Sequence, residues 1–410
     1  MYTLEQFQLI VWKLIKMFKI RNLLFSLIVV LFSSSLSAQM NSLIVDQYWS
    51  PYSGAAANTF VFNSYKYLDD RFLPSSEHKT SFLWGVGRFG KWYVDSLLSS
   101  FLYVAQHEFF GHGYRAREFD FSYVGYEIGI AHGFTRFYAS EYNNLLYTQQ
   151  AAFNAAGMEA TTIMSQRVRD NFFLDGKIDR RDANLFFFSA YDQINYIYGS
   201  SDEKTTVGND INGYVNTVNN WYGNKVLTVK KLRNKDVWDL LDPTLYMALY
   251  TQVCYVIDGD FNQPMYMFDI KKYKYLPTPR LLLSPWGPEF QLQNNVVTPK
   301  NQLLQVNLRY GKTSFIKSYG IDVLMRPIYK YKDFSFGNKL YLWRQPKFLT
   351  QNYAAAVDNG FGVGEFVNVE YNIKGKYMAY AELGYKTSGY IQGYPLGNST
   401  VWRFGAGIRF

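Results

Sequence analysis

The sequence predicts an α+β chain, a mainly helical domain followed by an antiparallel β-barrel of about eight strands. Three observations carry that reading. Apolar residues recur at helical spacing between about 90 and 260, strict alternation takes over from about 286, and Tyr, Phe and Trp make up 19% of the chain. The division that follows is a signal peptide at 1–38, a mainly helical part at 39–275 and a C-terminal barrel at 276–410.

The N-terminus comes first because it is removed before folding. A basic stretch from Lys13 to Arg21 precedes an apolar run from Leu23 to Phe32, and Ala38 supplies the small residue before a cut. Met17 is an alternative start that leaves a more ordinary basic leader. The apolar run is too short for a membrane helix, which needs roughly 20 residues, so the chain reads as exported. Its one cysteine, Cys254, excludes an internal disulfide framework. The net charge of +9 is spread among acidic residues outside the leader, which speaks against nucleic acid and for affinity to anionic lipid headgroups. Aromatic excess has a physical home at membrane interfaces, where amphipathic rings sit at headgroup level.

In the middle of the chain, Tyr93 to Glu108 and Gln149 to Phe172 carry apolar residues at helical spacing. Asp179 and Asp182 mark the start of a third helix as cap and acidic first-turn residue, and Pro243 opens a fourth. Between the first two, Phe121 to Tyr138 alternates β-formers with glycines and reads as a hairpin. No stretch after the leader reaches the 18 or so apolar residues of a membrane helix, so this part reads as a water-soluble helical domain, placed in the periplasm. Asn171 to Asp182 echoes half of a calcium loop, but Phe173 and Asp182 stand where ligands are required, so it reads as a capping turn.

From about 286 the period is two. Leu304, Val306, Leu308 and Tyr310 oppose Gln305, Asn307 and Arg309; Tyr319, Ile321 and Val323 flank Asp322; Leu383 and Tyr385 oppose Glu382 and Lys386. About seven such runs of about 10 residues match the length of tilted membrane-crossing strands. An eighth is sought upstream, at Tyr275 to Ser284, although Pro277 and Pro279 weaken it. The last run, Trp402 to Phe410, resembles the C-terminal strand of bacterial outer-membrane barrels, whose terminal aromatic is an assembly signal. That resemblance implies an outer-membrane location with lipid as a partner.

The chemistry is sought in Gln106 to Arg115, QHEFFGHGYR, which holds two of the four histidines. Neighbours at i and i+5 on a regular helix differ by about 140° around the axis, so His107 and His112 cannot face one ion unless the helix bulges. A π-bulge absorbs the extra residue, and Gly111 accommodates the adjustment. The string HEFFGH resembles the His-Glu-x-x-Gly-His motif of the dipeptidyl peptidase III family of zinc peptidases. The resemblance implies that His107 and His112 bind Zn2+ and that Glu108 is the general base. It is confined to that string, and the family's paired-glutamate helix is absent.

Catalytic zinc takes three protein ligands and keeps a fourth position for water. Glu159 is the preferred third ligand, because a lone carboxylate among Ala155, Ala156, Met158, Ala160 and Ile163 is costly unless paired or metal-bound. His132 is its rival, with Glu127 and Glu141 behind. Arg115 and Arg117 follow the motif closely and read first as a solvated helix end, with a hold on a substrate carboxylate or oxyanion as the alternative. The resulting expectation is an outer-membrane zinc metallopeptidase, a hydrolase acting on a peptide or protein, with metal ligands His107, His112 and Glu159 and catalytic Glu108. Two other readings stay open: a non-enzymatic barrel with a helical partner-binding or gating domain, and a zinc hydrolase of lipid or cell-wall material.

Overall fold

A computed structural model describes residues 41–72, 82–202 and 208–408. The expected signal peptide lies outside them. The chain opens with strand β1 (Asn41–Asp46), then α1 (Pro51–Phe72) and α2 (Phe82–His107). A π-helical turn (Glu108–His112) joins α2 to the short α3 (Gly113–Glu118). The expected hairpin follows as β2 (Val124–Ile128) and β3 (Gly133–Phe137), then α4 (Ala139–Asn143) and the 29-residue α5 (Tyr147–Asp175). Beyond β4 (Lys177–Asp179) come α6 (Arg180–Gly199), α7 (Asp210–Tyr222), α8 (Val229–Asp236), α9 (Pro243–Asp258) and β5 (Asn262–Pro264).

The capping chemistry acts where the sequence put it. Gly176 ends α5 at φ 66°, Asp179 accepts the Arg181 N–H at 2.8 Å to start α6, and Asp242 caps α9 ahead of Pro243.

Strands β6 (Phe268–Ile270), β7 (Tyr273–Ser284), β8 (Gly287–Val297), β9 (Leu303–Lys312), β10 (Lys317–Tyr331), β11 (Phe334–Pro346), β12 (Asn359–Ile373), β13 (Tyr377–Lys386) and β14 (Ser399–Ile408) form an antiparallel meander. β7 exists in spite of Pro277 and Pro279. β1 adds beside β14, pairing Asn41 with Ile408 through Asp46 with Arg403. The expectation of a closed barrel of about eight strands is corrected: this is a ten-stranded sheet whose order ends at β1 on one side and β6 on the other, with no ladder closing it among the described residues. An eight-stranded barrel has room inside only for side chains. Here the concave face receives helices, so the sheet is wider and stays open.

The sheet is inverted relative to a water-soluble one. Its polar faces are buried: Glu289, Gln291, Gln293 and Asn295 on β8, Gln305, Asn307 and Arg309 on β9, Glu382 on β13 and Arg403 on β14. Its apolar faces are exposed, among them Leu308, Leu342, Val367, Leu383 and Phe404. Many of the buried polar groups bond one another and the helices, while Glu289 Oε2, Asn307 Oδ1 and Arg309 Nε are left without a hydrogen-bond partner. Arg309 donates to Asp322 at 2.9 Å, Lys339 pairs with Glu382 at 2.6 Å, and Arg403 reaches Asp46 at 3.1 Å and also bonds Glu382.

Helix α5 is the main tie between helices and sheet. Arg169 pairs with Asp242 at 2.9 Å and bonds Gln293 on β8, while Gln305 on β9 donates to Asp170 at 2.8 Å. Apolar packing crosses the same boundary, with Ala151, Ala155 and Met158 of α5, Tyr214, Val218 and Trp221 of α7, and Leu281, Leu283 and Trp286 of the sheet in one buried cluster. The helical and sheet parts therefore share a core.

Arg169→Met keeps the bulk but strands the buried Asp242 carboxylate. A loss of about 3–5 kcal/mol is expected in a denaturant titration, since removing one partner of a buried pair leaves an uncompensated charge.

Candidate metal centre

The helix bulges where the histidine spacing requires it. The π-turn spans Glu108–His112, and it turns both imidazoles to one side: His107 Nε2 and His112 Nε2 lie 3.2 Å apart. Close backbone packing makes this possible. A Cβ on Gly111 would stand 2.6 Å from the Ala156 carbonyl oxygen and 2.7 Å from Gly157 Cα, so the π-turn and α5 touch main chain to main chain. A Cβ on Gly157 would occupy the place of the His107 ring itself.

The third group at this point is Asp210, the first residue of α7. Its Oδ2 lies 3.0 Å from His107 Nε2 and 3.1 Å from His112 Nε2. These three residues are the one cluster of metal-ligating type among the described residues. Both histidines are buried, and Asp210 keeps 17% of its side chain exposed, so the carboxylate marks the open side.

The other ring nitrogens fix the tautomers. His112 Nδ1 faces the Phe153 carbonyl oxygen at 2.9 Å and must donate to it. His107 Nδ1 faces Asp192 Oδ2 at 2.9 Å, and that oxygen also accepts from Thr161 Oγ1 at 2.8 Å. A carboxylate or carbonyl on the far nitrogen is the usual way a metal-binding imidazole is oriented and made more basic. With Nδ1 protonated, each Nε2 presents a lone pair. Two lone pairs and a carboxylate oxygen then converge at 3.0–3.2 Å, an arrangement that only a proton or a cation between them makes favourable.

In the metal-free protein a proton supplies part of that compensation. Burial alone would lower the His112 pKa, but the Asp210 carboxylate outweighs it and raises it above the ordinary imidazole value. For Asp210, burial pushes upward, yet the His112 charge and hydrogen bonds from both histidines hold it well below the usual carboxylate range.

Glu108 is buried beside the cluster, and Thr135 Oγ1 on β3 donates to its Oε2 at 2.8 Å. Gly133 lets the hairpin approach, since a Cβ there would meet Glu108 Cγ at 2.6 Å. Tyr196 stacks on His107, with ring centres 4.9 Å apart and planes at 15°.

The structure brings His107, His112 and Glu108 together and does not bring Glu159 to them. The Glu159 carboxylate is held by the Arg115 guanidinium through two 2.9 Å bonds and accepts the Gly393 N–H at 2.5 Å. The cost of burying that charge is met by an ion pair, and Asp210, not Glu159, is the third member of the cluster that could hold a metal ion. His132 sits exposed in the turn between β2 and β3, Glu127 pairs with Arg136 on the surface, and Glu141 caps the Ser122 N–H. Arg115 is committed to Glu159 and Glu118, and Arg117 to the Tyr48 and Phe109 carbonyls and the Tyr126 hydroxyl. Neither arginine is free for substrate.

No family model matches the chain, and no curated protein does. Among solved structures the chain is similar to the NanC porin in its rhombohedral crystal form, with 15% identity over 35% of this chain and 76% of that one, at a TM-score of 0.26.

Two substitutions separate the role of Glu159 from that of the histidine cluster. Glu159→Ala should lower stability by roughly 3–5 kcal/mol through the stranded Arg115 while the folded protein keeps its metal content. Gly157→Ala should do the reverse, displacing His107 and cutting metal content while the helical circular dichroism signal persists; metal loss in Glu159→Ala with the fold intact would return that residue to the ligand set.

Proposed function

We propose that this protein is a zinc hydrolase of the bacterial outer membrane that cleaves peptide bonds. The observation that carries the chemistry is the triangle of His107 Nε2, His112 Nε2 and Asp210 Oδ2, with edges of 3.0–3.2 Å. His107, His112 and Asp210 would hold the ion, three protein ligands that leave room in its coordination for water or substrate. A set of two imidazoles and one carboxylate is a familiar catalytic zinc donor set.

When bound, the ion would lower the pKa of a coordinated water toward roughly 7 and polarise a carbonyl oxygen. The rest falls to the protein. Glu108, adjacent to His107 in the chain and steadied by Thr135, takes the proton from the attacking water and passes it to the leaving amine. Asp192 and the Phe153 carbonyl keep both Nε2 lone pairs aimed at the ion. Tyr196 covers one face of His107 and is a tyrosine at the centre whose hydroxyl is offered for a developing oxyanion.

The location is supported by the inverted sheet. Strands of 10–15 residues with apolar side chains outward and charged ones inward suit a bilayer outside and a polar filling within. No helix among the described residues is long and apolar enough to cross a membrane by itself.

Metal analysis of protein purified without chelator should find about one zinc per chain, since three ligands preorganised on two packed elements form a complete site. Glu108→Gln should keep the zinc and lose about 10²–10⁴-fold in hydrolysis of a peptide library. Zinc with no hydrolysis in the wild type would make the centre a structural clamp between α2 and α7. Asp210→Ala should lose the metal, and Asp192→Asn should weaken it by about 10–100-fold.

The pH dependence has opposite signs with and without metal. A group whose pKa is raised on folding stabilises the fold at low pH, so the metal-free protein should lose stability as pH rises through the raised His112 value. Zinc competes with that proton, so its affinity should rise over the same interval, as thermal melts at several pH values with and without zinc would show.

A further inference from the structure

Helices α2 and α9 are built inside out. The exposed residues of α2 are Phe82, Leu83, Val86, Phe89, Tyr93, Val94 and Phe101 with two glycines, and none is charged. Its charged residues point inward: Arg88 and Asp95 are buried, and Lys91 is paired with Asp69 at 2.9 Å and Asp95 at 2.7 Å. On α9 the exposed set is Tyr246, Leu249, Tyr250, Val253 and Ile257, with one charge, Asp258, at the very end, while Thr244, Thr251 and Gln252 are buried. A helix at a water-exposed surface shows the opposite pattern. An apolar face uninterrupted over two packed helices is larger than scattered surface apolars and signals contact with something other than water.

In chain order these helices also lie between the two ends of the sheet. β1 leads into α1, and α1 packs on α2 through Tyr65, Asp69, Lys91 and Asp95. In turn α2 packs antiparallel on α9, with Trp92 Nε1 donating to Gln252 at 3.0 Å and Arg88 donating to the Val256 and Ile257 carbonyls at 3.1 and 2.6 Å. Beyond α9 the chain enters β5 and then β6, the opposite edge. An open sheet edge is not tolerated against lipid, because its unpaired backbone groups have no water to bond.

We propose that α2 and α9 face lipid acyl chains and complete, between β1 and β6, the lipid-exposed wall that the sheet leaves open. The proposal rests on the membrane location given above for the sheet. Each helix satisfies its own backbone internally, and its polar flank is covered by protein, so neither needs to be apolar all round to stand against hydrocarbon. The outward faces of the helices thereby continue the apolar outer face of the strands, and behind them lies the ionic network of Lys91, Asp95 and Arg180.

The test places single cysteines in a Cys254→Ala background at Val86 and Val253 on the helices, at Leu308 and Leu383 on the sheet, and at Lys225 as a water-exposed control. Each is labelled with an environment-sensitive nitrobenzoxadiazole and reconstituted into phosphatidylcholine vesicles with or without bromine on the acyl chains; circular dichroism checks folding, and Tyr93 and Tyr250 replace any helix position that does not fold. Loss of fluorescence in brominated lipid at both helix and sheet positions, with none at Lys225, is the expected result. Loss at the sheet alone overturns the helical wall and leaves the membrane reading standing, and a blue-shifted but unquenched helix label assigns that face to a protein partner. Quenching at neither overturns both, whereas quenching at the helices alone keeps their lipid contact and overturns the embedded sheet.

Discussion

The main-chain contact between the π-turn and α5 at Gly111 and Gly157 is the constraint on which the centre depends. Two helices that meet through side chains keep their axes 8–10 Å or so apart, too far for the Phe153 carbonyl to orient His112 or for His107 to lie over the α5 backbone. Removing both Cβ atoms allows the approach, and the extra residue of the π-turn then rotates His112 into line with His107. The odd spacing of the two histidines and the small-residue run of α5 are therefore one device seen from two helices. Asp210 completes it from a third, and as an acidic residue in the first turn of α7 it sits where a helix favours negative charge.

The fold was legible in the sequence wherever a period was long and clean. The alternation in β9, β10, β13 and β14 placed the right residues on the right faces, including Leu308 outward and Arg403 inward, because a two-residue period admits only one register against a polar filling. Closure was not legible, since it depends on what fills the concave face, and nothing local in β7–β14 reports that α5 does so. Strand β1 was also hidden: its six residues pair with the far end of the chain, a contact between Asn41 and Ile408 that no local pattern encodes.

At the centre, the histidine pair and its bulge could be read from spacing alone, whereas the third residue of the cluster could not. The rule applied to Glu159, that a lone carboxylate on an apolar helix must have a partner, is sound but does not name the partner, and here it is Arg115. The same rule applied to Asp192, set among Phe186, Phe187, Phe188 and Ile194, would have found a residue of the centre, the one that orients His107. Asp210 carried no such signal. An aspartate opening an amphipathic helix is commonplace, and its distance of about a hundred residues from the histidines is bridged only by the tertiary fold.

Helix α5 runs through every layer of the molecule. Along one continuous rod it supplies the carbonyl that sets a histidine tautomer, the gap that admits the other histidine, the hydroxyl that steadies Asp192, and the arginine and aspartate that grip β8 and β9. A chain whose strands have not yet assembled has no fixed seat for that rod, and without the rod the histidines have neither orientation nor room. The convergence of His107, His112 and Asp210 is thereby tied to the seating of α5 against the sheet, so the geometry of the centre and the architecture of the whole molecule stand or fall together.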